Sequence, residues 1–235
     1  MHYNLKKIKN YILELIFPVY CVACGKDEFW LCPKCLEKID IKIKLVCPLC
    51  QQENKQGRVC PSCRAKSSLN QLVVVADYQD KTIQNIIHLL KYNFAYEIRS
   101  AFADILDKFF RINPLKLPAA CLIIPIPLHK KRRRFRGFNQ AQIIGEELAK
   151  IFSLPIIIDN LQRIKYTQPQ VELAAKERKN NIIGAFSLNN PLEISGKSVI
   201  LIDDVYTTGS TMNEAGKVLK KAGAKEVIGF VIARG

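Results

Sequence analysis

Residues 199–211 read VILIDDVYTTGST, and this stretch decides the fold of the larger part of the chain. Its first four residues are apolar, which predicts a strand buried on both faces of a parallel sheet. The acidic pair, Asp203 and Asp204, follows, and a run rich in hydroxyl groups then leads into a helix. The residues of this run are Thr207, Thr208, Gly209, Ser210 and Thr211. Because backbone N–H groups at the start of a helix bind anions, the stretch predicts a phosphate-binding loop.

The acidic pair needs its own explanation, because two carboxylates beside a phosphate repel it. The loop has no lysine, so it differs from the Walker loop, in which a lysine binds the terminal phosphates. Ribose hydroxyls or a Mg²⁺ ion are partners that carboxylates would bind here. An ordinary connection in which one aspartate caps the helix is the alternative, but it explains neither the second carboxylate nor the hydroxyl groups. The pair and the loop together predict a site for a phosphorylated ribose.

Strand and helix patterns alternate through residues 72–235. Short apolar runs predict strands, and apolar residues at helical spacing predict helices. The predicted strands are 72–76, 121–125, 155–158, 199–202 and 227–232, and the predicted helices are 82–92, 101–110, 138–152, 171–181 and 212–222. Strands separated by helices indicate an α/β fold, with a mostly parallel sheet flanked by helices. Ligands of such folds bind beyond the carboxyl ends of the strands, and residues 203–211 follow a strand in this way.

Residues 18–66 hold eight of the nine cysteines, arranged as four Cys-x-x-Cys pairs. The pairs are Cys21 and Cys24, Cys32 and Cys35, Cys47 and Cys50, and Cys60 and Cys63. Two such pairs complete a tetrahedral Zn–S4 site, so the eight ligands predict two structural zinc ions. Sequential use of the pairs is the simplest arrangement, and an interleaved one stays open. The ninth cysteine, Cys121, lies in an apolar run and is expected to be a buried, inert thiol.

The compartment bears on the choice between zinc and disulfides. Residues 1–17 predict an amphipathic helix rather than a targeting signal, because apolar residues recur at helical spacing and Glu14 interrupts the apolar run. Without an export signal we expect a cytoplasmic protein, and a reducing cytoplasm disfavours disulfides. A redox motif would not recur four times, and an iron–sulfur cluster does not match the regular pairing. We therefore expect three parts: the helix at 1–17, a double zinc ribbon at 18–66 and the α/β domain at 72–235.

A dense basic run lies between the predicted strand at 121–125 and the predicted helix at 138–152. It reads KKRRRFR over residues 130–136, with candidate ligands Arg132, Arg133, Arg134 and Arg136. Repulsion at this density costs stability unless an anion offsets it. Two anions stay open. One is a pyrophosphate held by arginine, and the other is single-stranded nucleic acid, whose bases could stack on Phe135, Phe138 or Tyr92.

The overall composition excludes several classes of protein. Apolar residues make up 49% and charged residues 24% of the 235-residue chain, which excludes a largely disordered chain. No period indicates collagen or a coiled coil, and no apolar run is long enough for a membrane span. The 36 basic and 21 acidic residues give a formal net charge of +15, which favours anionic partners.

Residues 199–211 also resemble the phosphoribosyl-pyrophosphate signature of type I phosphoribosyltransferases. The resemblance implies that Asp203 and Asp204 contact the ribose hydroxyls, directly or through Mg²⁺, and that residues 207–211 surround the 5′-phosphate. It further implies a pyrophosphate-binding loop after an earlier strand. The candidate for that loop is PIPL at 125–128, together with the basic run beyond it.

The order of motifs along nearly the whole chain resembles the ComF family, the competence protein F group. The motifs are the cysteine pairs, PIPL at 125–128, RGFNQ at 136–140, TQPQ at 167–170 and DDVYTTGST at 203–211. The resemblance implies a type I phosphoribosyltransferase-like domain preceded by a small double zinc ribbon with four cysteines for each zinc ion. It also implies a role in DNA uptake and natural transformation. The implied partners are single-stranded DNA, a helicase-like competence protein and phosphoribosyl pyrophosphate.

Three functions stay open. The favoured one is a DNA-uptake factor that binds single-stranded DNA and keeps a phosphoribosyl-pyrophosphate/Mg²⁺ site. The second is an active phosphoribosyltransferase in nucleotide salvage, which the lack of a recognisable base-binding hood in residues 72–120 disfavours. The third is a zinc-ribbon adaptor with a vestigial phosphate loop, which the retention of both Asp203 and Asp204 disfavours. The sequence assigns no catalytic residue and no acceptor base.

Overall fold

The structure is a computed structural model that describes residues 19–41, 45–54, 57–91, 97–115, 117–118, 120–166 and 182–235. The predicted helices at 1–17 and 171–181, the TQPQ segment and Tyr92 lie outside the described residues. Among the residues that are described, no helix combines the length and the apolar character needed to cross a membrane.

A parallel sheet forms the centre of the α/β domain. Within the described ranges, the strands are β1 Gln71–Asp77, β2 Cys121–Pro125, β3 Leu161–Arg163, β4 Phe186–Leu188, β5 Ser198–Tyr206 and β6 Glu226–Arg234. Four of them form the sheet in the order β1–β6–β5–β2, and every neighbouring pair is parallel. β3 and β4 form a separate antiparallel pair. The predicted parallel sheet is confirmed, with β5 in its interior.

Helices cover both faces of this sheet. In the same described ranges they are α1 Pro33–Lys38, α2 Lys81–Lys91, α3 Arg99–Ile112, α4 Lys130–Arg136, α5 Gln140–Phe152 and α6 Ser210–Lys221, with 3-10 turns at Pro61–Cys63 and Pro191–Glu193. On one face, α2, α3 and α5 contribute core residues such as Ile86, Phe102 and Ile144. On the other face, α6 contributes Met212 and Leu219. Because both faces are buried, the strands are continuous apolar runs rather than alternating ones.

The strand β5 is longer than predicted. It continues past residue 202 through the acidic pair and ends at Tyr206. Its neighbour β6 runs on to Arg234, so that Asp203 pairs with Val231 and Tyr206 pairs with Arg234. The predicted end at residue 202 was wrong because the change from apolar to acidic side chains does not interrupt the backbone ladder.

The predicted strand at 155–158 is reduced to one parallel bridge, between Ile156 and Ile123 of β2. The N–H of Ile123 donates to the Pro155 carbonyl at 2.8 Å, and the N–H of Ile157 donates to the Ile123 carbonyl at 2.9 Å. The segment therefore lies along the edge of β2 that faces away from β5, but it pairs over too short a length to form a strand.

The basic run forms a helix of its own, α4, which the sequence pattern did not predict. His129 caps its start, because the ring Nδ1 accepts the N–H of Lys131 at 3.3 Å. Gly137 ends it in the left-handed conformation, with φ 79°, and donates its N–H to the Arg133 carbonyl at 2.8 Å. No residue of α4 is buried, so the helix has no apolar face whose periodicity would have predicted it.

Candidate functional site

The eight paired cysteines form two clusters that use consecutive pairs. The first cluster is Cys21, Cys24, Cys32 and Cys35, the second is Cys47, Cys50, Cys60 and Cys63, and the sulfur atoms within each lie within 4.8 Å of one another. A tetrahedral Zn–S4 site with Zn–S bonds of about 2.3 Å places its sulfur atoms about 3.8 Å apart. The sulfur atoms of Cys24 and Cys32 are 3.7 Å apart, and those of Cys50 and Cys60 are 3.8 Å apart. Both clusters therefore fit structural zinc, and the pairing is sequential.

Polar neighbours favour the thiolate form that zinc binds. The N–H of Cys32 donates to the sulfur of Cys21 at 3.4 Å, and the N–H of Cys60 donates to the sulfur of Cys47 at 3.5 Å. The hydroxyl of Ser62 lies 3.3 Å from the sulfur of Cys60, and Ser62 together with Cys63 lowers the pKa of that thiol to about 6, whereas the neighbouring Cys60 and burial raise the pKa of Cys63 to about 12. These contacts prepare both clusters to bind a metal ion, because zinc is bound by deprotonated cysteine.

The first ribbon, residues 19–41, packs against α3 of the α/β domain. Lys108 of α3 is buried, and its Nζ donates to the carbonyls of Leu36, Glu37 and Ile39 at 2.8, 3.0 and 2.8 Å. These carbonyls belong to the end of α1 and the residue after it, and the last carbonyls of a helix have no N–H partner within the helix. The lysine therefore both caps α1 and joins the ribbon to the domain.

The acidic pair lies near the carboxyl end of β5. The Oδ2 atom of Asp204 is 3.3 Å from Nζ of Lys91, at the end of α2. Burial raises the pKa of Asp203 well above its usual range, the charge of Asp204 raises it further, and Lys91 acts in the opposite direction. The two carboxylates are adjacent, and the ammonium group of Lys91 forms its ion pair with Asp204. This donor set therefore fits a hard cation such as Mg²⁺, or the hydroxyl groups of a ribose.

The phosphate loop, residues 207–211, follows directly. Gly209 has φ 71° and stands immediately before α6. The hydroxyl oxygens of Thr208 and Ser210 are 2.9 Å apart, so the side chains of the loop converge. At the start of α6 the backbone N–H groups and the positive end of the helix dipole favour an anion. The loop thus begins directly after the strand that carries the acidic pair, as their order in the sequence predicts.

The PIPL segment, residues 125–128, lies on the strand next to the acidic pair. Pro125 of β2 is in register with Ile202 of β5, and the N–H of Ile126 donates to the Ile202 carbonyl at 2.9 Å. The side-chain amide of Asn139, at the start of α5, donates to the Ile126 carbonyl at 3.0 Å. The predicted pyrophosphate loop and the acidic pair therefore occupy adjacent strands at the same edge of the sheet.

Two cations near the acidic pair were not predicted from the sequence. Lys91 is the ion-pair partner of Asp204, and Arg163 of β3 is close enough to Asp203 for the two charges to interact. Burial and the charge of Arg132 lower the pKa of Arg163 to about 10, and the charge of Asp203 acts in the opposite direction. Neither residue belongs to a motif, and only the tertiary fold brings them to the acidic pair.

The four predicted arginines differ in their surroundings. They are Arg132, Arg133, Arg134 and Arg136, and all lie on α4. The guanidinium carbon of Arg132 lies 5.9 Å from the centre of the Tyr166 ring, and burial and then the charge of Arg132 lower the pKa of Arg163. Arg133 is directed elsewhere, with its Nη1 3.8 Å from a carboxylate oxygen of Asp159, and Arg134 is exposed. The four arginines of the basic run therefore differ in exposure and in the charged groups near them.

Aromatic side chains accompany the charges of α4. Phe135 is 89% exposed, whereas Phe138 packs against the core and is poorly placed to stack on a base. Tyr166, which the sequence did not single out, is 56% exposed. Its ring lies 5.4 Å from Nζ of Lys131 and 5.2 Å from the ring of His129. The surface of α4 thus combines cations with two exposed aromatic rings, Phe135 and Tyr166.

The ninth cysteine is separate from both clusters. Cys121 begins β2 and is buried, and its sulfur donates to the Pro118 carbonyl at 2.9 Å. Burial raises the pKa of this thiol to about 11, so it stays protonated at neutral pH. The predicted burial of this thiol is confirmed, and its inertness stays a prediction.

Comparison with known proteins agrees with this arrangement. A model of the phosphoribosyl transferase domain matches residues 139–235, and a model of the double zinc ribbon domain matches residues 12–64. Competence protein F of Haemophilus influenzae is 31% identical over 223 residues, which cover 86% of this chain and 96% of that protein. This chain belongs to the ComF family. The predicted family, and the phosphoribosyltransferase-like fold preceded by zinc ribbons, are confirmed.

Further relatives of the ComF protein match over most of its length. Competence protein ComFC of Bacillus subtilis is 31% identical over 221 residues, covering 89% of this chain and 86% of that protein. DNA utilization protein YhgH of Escherichia coli is 32% identical over 197 residues, covering 81% and 85%. Among solved structures, a purine phosphoribosyltransferase from Pyrococcus horikoshii matches with a TM-score of 0.33 and 16% identity over 58% of this chain and 81% of that one. That structural likeness is too low to carry an argument.

Proposed function

We propose that this ComF protein handles single-stranded DNA during natural transformation, and that its α/β domain binds phosphoribosyl pyrophosphate with Mg²⁺. The observation that carries the sugar-phosphate site is the acidic pair beside the phosphate loop. Two adjacent carboxylates, one with its pKa raised by burial, directly precede a glycine-containing loop at the start of a helix. The names of the relatives support the DNA part, because they refer to competence and to DNA utilization.

In the proposed complex, the acidic pair binds the ribose hydroxyls, directly or through Mg²⁺, and the phosphate loop binds the 5′-phosphate. The loop ligands are its backbone N–H groups and the hydroxyls of Thr207, Thr208, Ser210 and Thr211. Lys91 orients Asp204, and Arg132 with the PIPL segment borders the pyrophosphate. When bound, Mg²⁺ neutralises charge on the pyrophosphate and so favours its departure.

Single-stranded DNA is proposed to bind along α4. Its arginines and lysines supply phosphate contacts, and the exposed rings of Phe135 and Tyr166 supply surfaces on which bases stack. A helix with no buried residue contributes no side chain to the core, so its charge density has no role in core packing. An anionic partner gives this charge a function, because it offsets the mutual repulsion.

An active transferase in nucleotide salvage is the second candidate, and the intact acidic pair favours it over a vestigial loop. The reaction would break the bond between C1 of the ribose and the pyrophosphate oxygen and form a bond from C1 to a base nitrogen. The chain would contribute positioning and electrostatic stabilisation of the leaving pyrophosphate. Release of pyrophosphate in the presence of a panel of bases tests this candidate, and a zinc-ribbon adaptor would show neither release nor binding.

We further propose a cytoplasmic location and a helicase-like competence protein as partner. The location is supported by the two four-cysteine clusters, because clustered cysteines bind metal rather than form disulfides in a reducing compartment. The partner follows from the proposed role, since incoming DNA must be moved as well as bound. Co-purification of the helicase with the wild-type chain tests the association.

Calorimetric titration with phosphoribosyl pyrophosphate and Mg²⁺ tests the sugar-phosphate site. We expect the wild type to bind and the double variant Asp203→Asn, Asp204→Asn to lose binding. The double variant Asp104→Asn, Asp107→Asn on α3 is a control, since it makes the same change of charge at exposed positions outside the site. Binding that survives in the first variant would refute the ribose assignment.

The salt dependence of DNA binding tests the assignment of α4. Neutralising Arg132, Arg133 and Arg134 to glutamine should flatten the slope of log affinity against log salt concentration by roughly two to three units. The matched control neutralises three exposed lysines at the far end of the domain, Lys217, Lys221 and Lys225. A slope that changes only in the control would move the DNA surface away from α4.

A further inference from the structure

We propose that the second ribbon, residues 45–54 and 57–63, holds the phosphate loop in place, so that zinc at the second cluster controls the affinity of the loop for its ligand. Tyr206 is the positioning residue that links the two. The inference rests on the proposed phosphate-binding role of residues 207–211. It assigns to one of the two zinc ribbons a role beyond folding, as the support of a ligand site.

The first link is the hydroxyl of Tyr206. This residue ends β5, is only 3% exposed, and donates its hydroxyl to the carbonyl of Pro48. Pro48 lies inside the turn between the zinc ligands Cys47 and Cys50. Burial raises the pKa of Tyr206 above its ordinary range, so the phenol stays a donor at every physiological pH. A side chain of the phosphate-site strand is thus bound directly to a zinc knuckle.

The same side chain also supports the loop. Gly209 has a positive φ of 71°, and a Cβ atom at this position would collide with the hydroxyl and the ring of Tyr206. The backbone of the loop therefore rests on the tyrosine ring at the residue immediately before α6. Any displacement of Tyr206 changes the surface against which Gly209 packs.

A second link joins the knuckle to the loop without Tyr206. The side-chain amide of Gln51 donates to the carbonyl of Thr207 at 3.4 Å. Gln51 is held in the left-handed region, with φ 61°, and its N–H donates to the Cys47 carbonyl at 3.0 Å. The turn that presents the zinc ligands therefore also sets the position of Gln51. Release of the metal removes the constraint that keeps this turn closed.

The second ribbon is fixed at its other side to the sheet. The N–H of Leu72, in β1, donates to the carbonyl of Gly57 at 3.0 Å, and Arg58 forms an antiparallel bridge with Gln71. The ribbon therefore spans from the first strand of the sheet to the loop after β5. A rigid, zinc-bound ribbon can hold the loop against the sheet, and a metal-free one cannot.

The two clusters provide a matched pair of variants. Cys24 and Cys50 are both exposed, and each is the second ligand of the first pair in its cluster. The first ribbon reaches the domain through Lys108, and the contacts described for it do not involve the phosphate loop. Cys24→Ser and Cys50→Ser thus disturb the same chemistry at two different places, and metal analysis should find one zinc fewer in each.

The decisive measurement is the backbone order of the loop in the ligand-free, full-length protein, from ¹⁵N relaxation at residues 207–209. In the wild type and in Cys24→Ser, we expect order parameters near the rigid value of about 0.85. In Cys50→Ser, we expect values below about 0.6, with residues 121–124 unchanged as evidence that the sheet is intact. Equal order parameters in the two variants would refute the coupling.

Tyr206→Phe tests the hydrogen bond from Tyr206 to Pro48 without removing a zinc ligand. This variant keeps the ring that packs under Gly209 and both zinc ions, but it removes the donor to Pro48. We expect loop order parameters to fall, and the affinity for phosphoribosyl pyrophosphate to fall about tenfold. Failure of the wild type to bind this ligand would refute the proposed function, whereas the relaxation data decide the coupling in either case. Unchanged loop order and affinity in Tyr206→Phe would overturn the role of the tyrosine.

Discussion

The two zinc ribbons share one chemistry and differ in what they touch. Each has four cysteines with the sulfur separations of a Zn–S4 site. The first ribbon is joined to α3 by the buried Lys108, which caps a helix end. The second ribbon receives the hydroxyl of Tyr206 and donates from Gln51 to the phosphate loop. Cysteine spacing predicts both metal sites equally well, but only the tertiary contacts show that one ribbon packs on α3 and the other contacts residues 206 and 207.

Removal of zinc is expected to have the largest effect on stability, because it takes the metal from both ribbons. Structural zinc contributes roughly 10–16 kcal/mol of apparent binding free energy in zinc-finger peptides, which exceeds any hydrogen bond at either ribbon. A chelator at neutral pH should unfold residues 19–63 before the sheet, with loss of both zinc ions. Metal analysis and hydrogen exchange measure the two events. Amide protection that persists in residues 19–63 after complete zinc removal would contradict the structural role.

Lys108→Met tests the first ribbon alone, and we expect the next largest effect. Methionine keeps an unbranched side chain as far as the ε position, but the carbonyls of Leu36, Glu37 and Ile39 lose a buried donor. The free energy of unfolding should fall by about 2–4 kcal/mol. Denaturant unfolding measures the loss, and Lys34→Met, at an exposed position of the same ribbon, is the control.

Lys108→Met also tests whether the first ribbon affects the affinity of the phosphate loop for its ligand. The affinity for phosphoribosyl pyrophosphate should stay at the wild-type value, because Lys108 contacts only the first ribbon in the hydrogen bonds described for it. A large loss of affinity in this variant would mean that both ribbons support the phosphate loop.

Local patterns predicted much of the molecule. The continuous apolar runs predicted β1, β2, β5 and β6, because strands buried on both faces need apolar residues at every position. The Cys-x-x-Cys spacing predicted the two clusters, because each knuckle is a local turn. The acidic pair and the hydroxyl-rich run were singled out for a similar reason, since residues 203–211 are contiguous, and their role in binding a sugar phosphate stays a prediction.

Contacts between distant parts of the chain left no such signal. Tyr206 and Pro48 are 158 positions apart, and neither side of their hydrogen bond belongs to a pattern that indicates the other. Lys91 and Arg163 are isolated charges whose importance comes from their distance to the acidic pair. The helix α4 was missed because it has no buried face, and its start and end depend on caps at His129 and Gly137.

Asp203→Asn tests how far the buried carboxylate of Asp203, near the carboxyl end of β5, lowers the free energy of unfolding. The pKa of Asp203 is raised in the folded protein, so the stability linked to its protonation is fully present below the unfolded value of 3.8 and is lost as the pH rises through the folded value. Asparagine never ionises and keeps an oxygen for the N–H of Asp204. At pH 7 we expect the variant to be more stable by about 1 kcal/mol, the usual size for one stabilising substitution, and to bind the sugar phosphate poorly.

The pH dependence of that variant is the sharper measurement. Denaturant unfolding of wild type and Asp203→Asn should differ at neutral pH and converge well below the unfolded pKa of 3.8, where Asp203 is protonated in both the folded and the unfolded chain. A stability difference that is independent of pH would assign the effect to packing rather than to the buried charge.

The smallest expected effects come from one hydrogen bond at each ribbon. The Gln51 amide donates to the Thr207 carbonyl at 3.4 Å, and the Asn85 amide of α2 donates to the Val22 carbonyl of the first ribbon at 3.2 Å. Gln51→Ala and Asn85→Ala should each reduce the free energy of unfolding by about 0.5–1 kcal/mol, since each removes one partly exposed hydrogen bond. Only Gln51→Ala should weaken phosphoribosyl-pyrophosphate binding, by roughly two- to threefold in calorimetric titration. Equal affinities of the two variants for phosphoribosyl pyrophosphate would mean that the Gln51 bond stabilises the ribbon without ordering residues 207–211. Tyr206 would then be the sole link by which the second ribbon acts on the loop.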